Sequence, residues 1–281
     1  MSRVIPAAAL NTAPRGAKVL IVGPTGVGKT SLLRTLDPKT TLFIDVEAGD
    51  LAVQDVAVDV VRPRTWPEIR DLAVWIAGAN PAVQSSAVYG EQHHAAVLKE
   101  YGERPDRYRT VFIDSLTSIS RLSFAWSSER PEAFSSSGKR DLRGAYGLHA
   151  REMTAWLLNL QQARSINIVL LAILETATDD FGRIEHRLQM EGSRTGRELP
   201  GIIDELITMH WVQFGDDAPI RAFVCTAPNP WQYPAKDRSG RLDQIEQPHL
   251  GKLIDKLTSS GGELVEFPSA AAQRTQEINV S

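Results

Sequence analysis

Lys18-Val-Leu-Ile-Val22, then Gly23-Pro24-Thr25-Gly26-Val27-Gly28-Lys29-Thr30, then Ser31-Leu-Leu-Arg-Thr-Leu36 is the stretch whose reading decides the fold. An apolar, β-branched run leads into a complete G-x-x-x-x-G-K-[ST] pattern, and a segment with helical character leads out of it. In that setting the pattern reads as a phosphate loop rather than a glycine-rich turn. Glycines let the backbone wrap an anion closely enough for its N–H groups to point inward, and a helix start adds a favourable potential. Lys29 is expected to reach the β- and γ-phosphates of a nucleotide, and the Thr30 hydroxyl to ligate Mg²⁺. Residues Gly23, Pro24, Thr25, Gly26, Val27, Gly28, Lys29, Thr30 and Ser31 make up the expected nucleotide-binding set.

Outward from this loop, β-branched and apolar runs predict strands at 18 to 22, 41 to 46, 56 to 61, 110 to 114, 167 to 174, 205 to 212 and 220 to 225. Helical patterns separate several of them. Besides 31 to 36, one spans 66 to 77, with Thr65 as its N-cap and Pro67 in the first turn. Another spans 145 to 164, where Met153, Trp156, Leu157 and Leu160 form one apolar stripe. The alternation implies an α/β fold with a mostly parallel central sheet flanked by helices, and the late strands without long helices imply an antiparallel extension. Residues 1 to 16 read as an arm, 79 to 107 as a surface insertion, and 259 to 281 as a flexible tail, leaving one domain over 17 to 258.

The 281 residues fit one large α/β domain with appendages, or at most two small domains. No apolar run approaches the roughly 20 residues of a membrane span, and no secretory signal opens the chain, so a cytoplasmic location without membrane contact is expected. The single cysteine, Cys225, excludes an internal disulfide framework and a cysteine zinc cluster, and its flanks predict a buried strand. A net charge of −3 excludes a global basic surface, so any nucleic-acid contact has to come from local basic loops. His93 and His94 are adjacent and point apart, which argues against a metal pair.

A loop that hydrolyses a nucleotide needs an acid on a neighbouring strand to hold the hydration shell of Mg²⁺, and Val111-Phe-Ile-Asp114 supplies Asp114. It also needs a group that orients water. Thr41-Leu-Phe-Ile-Asp45-Val-Glu47 presents two acids at a strand's carboxyl end, where open α/β sheets bind ligands, and Glu47 is preferred to Asp45 as the general base. Asp50, shortly after it, is a candidate for adenine selection.

The order of phosphate loop, Phe43-Ile-Asp-Val-Glu47 and Phe112-Ile-Asp-Ser115 resembles the ATPase core of RecA-like recombinases and ring helicases. With Glu198-Leu-Pro-Gly-Ile-Ile-Asp204 and Lys236-Asp-Arg-Ser-Gly240, it looks most like the phage-encoded RecA-like ATP-binding proteins of recombination modules associated with single-strand annealing. The resemblance covers about residues 17 to 258 and implies a RecA-like core using ATP and Mg²⁺. It places the catalytic acid at Glu47 and the magnesium-supporting acid at Asp114. It also implies a homo-oligomer in which Lys236 and Arg238, carried outward by the proline-rich stretch 228 to 234, act as cations in the neighbouring subunit's ATP site. One departure stands out: Glu175 occupies the position where RecA has a phosphate-sensing glutamine.

The same resemblance implies two DNA-facing loops. The first candidate, 127 to 143, carries Lys139, Arg140 and Arg143, and the second, 176 to 199, carries Phe181, Arg183, Arg187, Arg194 and Arg197. Arginines on glycine- and serine-containing segments suit a phosphate backbone, and an aromatic can stack on a base. The expected activity is DNA-stimulated ATP hydrolysis by an oligomer that binds single-stranded DNA, with a single-strand-binding or replication protein as a further partner. The alternatives are an ATP-gated clamp or loader acting on a partner protein, and a small-molecule kinase.

Overall fold

The computed structural model describes residues 15–178, 181, 182 and 184–259, without the side chains of 193 and 194. The predicted arm up to residue 14, the tail from 260 on, Arg183 and the Arg194 side chain therefore lie outside the described residues.

The apolar runs form the strands of one sheet. Its path contains β1 (Lys18–Gly23), β2 (Thr41–Asp45), β3 (Asp59–Val61), β4 (Thr110–Asp114), β5 (Asn167–Thr178), β7 (Glu205–Val212), β8 (Ile220–Val224) and β10 (Ile245–Glu246). They follow the order β10-β8-β7-β1-β5-β4-β2-β3, with β6 (Ile184–Leu188) paired to β5 and β9 (Lys236–Asp237) to β7. The pairs from β7 through β1, β5, β4 and β2 to β3 are parallel, whereas β8, β9 and β6 pair antiparallel with their neighbours. This is the expected parallel sheet with an antiparallel extension. β5 separates the phosphate-loop strand β1 from the Asp114 strand β4.

Each central strand is buried on both faces, which is why its sequence is a continuous apolar run rather than an alternating one. Successive side chains enter opposite layers. Leu20, Val22, Leu42, Ile44, Val111 and Ile113 join the layer under α1 (Trp66–Ala77), α3 (Leu116–Ser127) and α4 (Leu142–Gln161), where Trp66 and Trp156 meet at 6.3 Å. Val19, Ile21, Phe43 and Phe112 join the layer under the phosphate-loop helix and α6 (Leu250–Thr258), with Phe43 edge-on to Phe112 at 5.7 Å.

Local chemistry fixes the helix ends. Thr65 Oγ1 accepts from Glu68 N at 3.4 Å while the Glu68 carboxylate accepts from Arg64 N at 2.7 Å, and α1 spans the predicted 66 to 77. Asp141 caps α4 by accepting from Arg143 N and Gly144 N, so that helix starts three residues before the predicted 145 and ends at Gln161. The segment after the phosphate loop is a six-residue 3₁₀ helix, Thr30–Thr35, rather than an α-helix, and β3 is shorter than the predicted 56 to 61. The segment 79 to 107, read from the sequence as an insertion, holds α2 (Glu91–Tyr101), which buries Val97 beside α1. Cys225 is fully buried just after β8, and burial pushes its thiol pKa up, as suits a packing residue.

Among the described residues no helix is long and apolar enough to cross a membrane.

Candidate functional site

Parallel strands end together, so the residues leaving β1, β2 and β4 meet at one edge of the sheet. Gly23 ends β1 and opens the phosphate loop, in which Gly26 adopts φ +80°, a left-handed conformation that glycine tolerates without strain. Lys29 turns back over this loop and donates from Nζ to the carbonyls of Gly23 at 2.8 Å and Pro24 at 2.9 Å. Burial lowers its pKa, while the Asp114 and Glu47 charges oppose that shift. Thr30 Oγ1 donates to Asp114 Oδ2 at 2.6 Å. The phosphate loop and the magnesium-supporting acid expected from the sequence are thus in direct contact.

Asp114 is 6% exposed. Burial pushes its carboxyl up to about 6, with the Thr30 hydrogen bond and Lys29 opposing and Glu47 and Asp45 reinforcing the shift. A buried carboxylate so disfavoured gains most from a nearby cation. One hydroxyl and one carboxylate oxygen suit Mg²⁺, which typically keeps water and substrate phosphate as its other ligands. Thr30 and Asp114 therefore fit that ion.

The two acids at the end of β2 part company. Asp45, 2% exposed, accepts from Arg62 Nε at 3.0 Å and from Gly49 N at 3.2 Å, so its oxygens are already engaged. Glu47 leaves the strand and turns to the start of α3, where Ser115 Oγ and Ser118 Oγ, the latter at 2.9 Å, both donate to its Oε1. Ser115 also caps α3 by accepting from Ser118 N at 3.3 Å. Asp50, the candidate for adenine selection, is paired with Arg62.

The helix α3 extends the site. Thr117 Oγ1 accepts from Ile173 N of β5 at 3.0 Å, and Ser120 Oγ accepts from Glu191 N at 3.2 Å. The buried His149 ring of α4 bridges Ser123 Oγ at 3.0 Å and the Glu191 carbonyl at 2.9 Å. Burial lowers the pKa of His149.

The second predicted loop is mostly ordered structure. β5 runs on to Thr178, turns back as β6, and is followed by α5 (Ser193–Ile202). Phe181 stands at the hairpin turn, 84% exposed, and Arg187 lies on β6 with an ion pair to Glu185. Arg187 is in register with Glu175, so that acid faces the hairpin strand carrying a cation. Arg197 lies on α5. In the first predicted loop, Lys139 and Arg140 are exposed in a turn closed by a Phe134–Arg140 bridge, and Arg143 belongs to the first turn of α4.

Lys236 and Arg238 are both held against the end of α5, with Arg238 remaining exposed. Lys236 is in β9, and its Nζ donates to the carbonyls of Pro200 at 2.6 Å and Ile203 at 2.8 Å at the end of α5. Arg238 binds Asp204 Oδ1 at 3.0 Å and the Gly201 carbonyl at 3.1 Å. β9 pairs with the first residues of β7, which places both cations at the sheet edge opposite their own phosphate loop. Pairing with β7 overrides the outward course expected from the prolines. Beside them, Glu205 faces Asp237 across the ladder, and burial, then a hydrogen bond with Asp237, pushes Glu205 up to about 8.

Sequence reasoning missed Arg221, whose Nη1 donates to the Val27 carbonyl at 3.3 Å from 194 residues away. No local signal marks it. Of the adjacent histidines, His93 spends both ring nitrogens, on Tyr89 N and on Asp71 Oδ1.

A family model described as an AAA domain matches residues 15–239. No curated protein matches. Among solved structures, an ATPase from the type III secretion system of pathogenic bacteria is similar at 16% identity over 70% of this chain and 51% of its own, with a TM-score of 0.39. This chain therefore spans about half the length of that ATPase. The RadB recombinase is similar at 13% identity over 75% of this chain and 80% of its own, with a TM-score of 0.37.

Proposed function

We propose, from the premise that the chain belongs to the AAA-domain family, that it is a Mg²⁺-dependent ATPase of RecA type that binds single-stranded DNA as an oligomer and assists recombination or strand annealing, as in phage recombination modules. The observation that carries the nucleotide part is the convergence of Lys29, the Thr30–Asp114 hydrogen bond and Glu47 at one edge of the sheet. Lys29 and the loop N–H groups hold the phosphates. Thr30 and Asp114 would hold Mg²⁺, which would supply charge neutralisation to the nucleotide's phosphates. Glu47 accepts the proton of the attacking water.

The DNA part is supported by placement. The β5–β6 hairpin continues a central strand beyond the phosphate-loop edge, and Glu191, just after it, is tied by Ser120 and His149 to helices α3 and α4. α3 begins at the contacts with Glu47. Nucleotide state and hairpin position are thereby joined through one helix, with Phe181, Arg187 and Arg197 on the segment it holds and Lys139, Arg140 and Arg143 leading into α4.

The test is steady-state ATP turnover with and without single-stranded oligonucleotide, alongside a gel-shift of the same oligonucleotide. Stimulated turnover and a shifted band support the reading. Turnover that ignores DNA, with no shift, sinks its DNA part, and absent turnover in both conditions sinks the ATPase.

A further inference from the structure

Glu47 stands just outside the ladder that fixes Asp45 and Asp114. The pairing of β2 with β4 reaches Val46, whose N–H donates to the Asp114 carbonyl at 2.8 Å. The chain then turns through Glu47, Ala48 and Gly49, with Ala48 at φ +53°, a left-handed conformation that costs energy in a residue with a Cβ. Such a turn keeps its shape only where its surroundings over-determine it.

One side chain grips this turn from both ends. Arg62, the residue after β3, donates from Nε to Asp45 Oδ2 at 3.0 Å, before the turn, and from Nη2 to Asp50 Oδ2, after it. Asp45 in turn accepts from Gly49 N at 3.2 Å, inside the turn. Residues 45, 49 and 50 are thereby tied together, and the backbone between them leaves Glu47 against Ser115 and Ser118.

Charge gives Arg62 a second hold. Asp45 and Asp114 are register partners on adjacent strands, and Asp45 is buried. A carboxylate buried beside other acids is costly unless a cation engages it. Lys29 feels the charges of Asp114 and Glu47, whereas Arg62 pairs with Asp45 and Asp50. Without the guanidinium, Asp45 would be driven from its buried place, and its bond to Gly49 N would go with it.

We propose that Arg62 is a positioning residue for ATP hydrolysis. It acts through Asp45 and Asp50 to hold the turn between them, and so keeps the Glu47 carboxylate where it can take a proton from the attacking water. The assignment rests on the general-base reading of Glu47.

The experiment measures steady-state and single-turnover ATP hydrolysis with Mg²⁺, alongside calorimetric ATP affinity, on the full chain. Arg62→Gln should lower kcat about ten- to a hundredfold while KM and ATP affinity stay where they were, and Arg62→Lys should recover part of the loss. Added to Glu47→Gln, Arg62→Gln should cost nothing further, because the group it positions is already gone. Asp50→Asn, which frees one arm of the guanidinium and leaves Asp45 paired, should lower kcat in the same direction by less. Parental kcat in Arg62→Gln, or in Asp50→Asn where Arg62→Gln does not fold, overturns the proposal. So does an equal fall of kcat and affinity, and so does an Arg62→Gln loss that is the same with and without the Glu47 carboxylate. A Glu47→Gln chain that turns ATP over at the parental rate instead sinks the general-base reading itself, and the positioning role with it.

Discussion

Thr30 and Asp114, 84 residues apart in the chain, meet in a 2.6 Å hydrogen bond that joins the end of the phosphate loop to the end of β4. Asp114 is raised from 3.8 to about 6 in the folded protein, so between those values the native state holds a proton that the unfolded chain has released. Stability without cation should therefore fall as pH climbs from about 4 to about 6. Binding of Mg²⁺ with ATP, which needs the carboxylate, should strengthen over the same window. Asp114→Asn should flatten the first profile in pH-dependent thermal melts and cut Mg²⁺-dependent turnover at least about a hundredfold.

Glu47→Gln retains the shape of the side chain and its contacts to Ser115 and Ser118 but cannot take a proton. ATP binding should persist while turnover falls by about 10²–10⁴-fold, measured by comparing calorimetric affinity with steady-state rate. Equal loss of both would assign Glu47 to binding instead. Ser115→Ala, which removes the cap of α3, should cost about 1 kcal/mol in urea denaturation.

Lys236→Ala leaves the Pro200 and Ile203 carbonyls without their ammonium donor and should destabilise the fold by about 1–3 kcal/mol, read by chemical denaturation. The role of Lys236 and Arg238 in a neighbour's site is a separate proposal. Mixing Lys29→Ala chains with Arg238→Ala chains should regain ATPase activity, because some interfaces then combine an intact loop with an intact cation. No recovery in any mixture would count against shared sites.

Glu205, opposite Asp237 and raised from 4.5 to about 8, carries a second pH dependence. Its folded pKa lies above its unfolded one, so stability is lost as pH rises from about 4.5 to about 8. Glu205→Gln should remove that decline and make the protein more resistant to urea at pH 8 than the parent.

For single-stranded DNA, replacing Lys139, Arg140 and Arg187 with alanine should weaken binding and reduce the slope of log affinity against log salt by about 0.7 for every phosphate that is no longer neutralised. An unchanged slope in fluorescence anisotropy would place the DNA-binding surface elsewhere.

The runs around Leu20, Phe43, Phe112 and Leu170 announce buried parallel strands because they are apolar on both faces, and Thr65 with Glu68 announces a helix start through chemistry confined to four residues. Glu47 and Asp114 are legible because parallel strands must end at a common edge. The hairpin from Thr176 onward is not: Glu185, His186 and Arg187 carry no strand pattern and extend only because β5 offers them a ladder. The contacts of Lys236 within its own chain are hidden for the same reason, since the carbonyls that hold it belong to a helix end more than 30 residues earlier. Arg221 is invisible for a third reason. Its place against Val27 arises from the antiparallel fold-back of β8 on β7, which no local pattern encodes.

β5 is one unbroken extended segment from Asn167 to Thr178: its first half is clamped between β1 and β4, and its second half stands clear with β6 alongside. One strand therefore spans the distance from the exposed hairpin to the seam between β1 and β4, at whose end Thr30 and Asp114 touch.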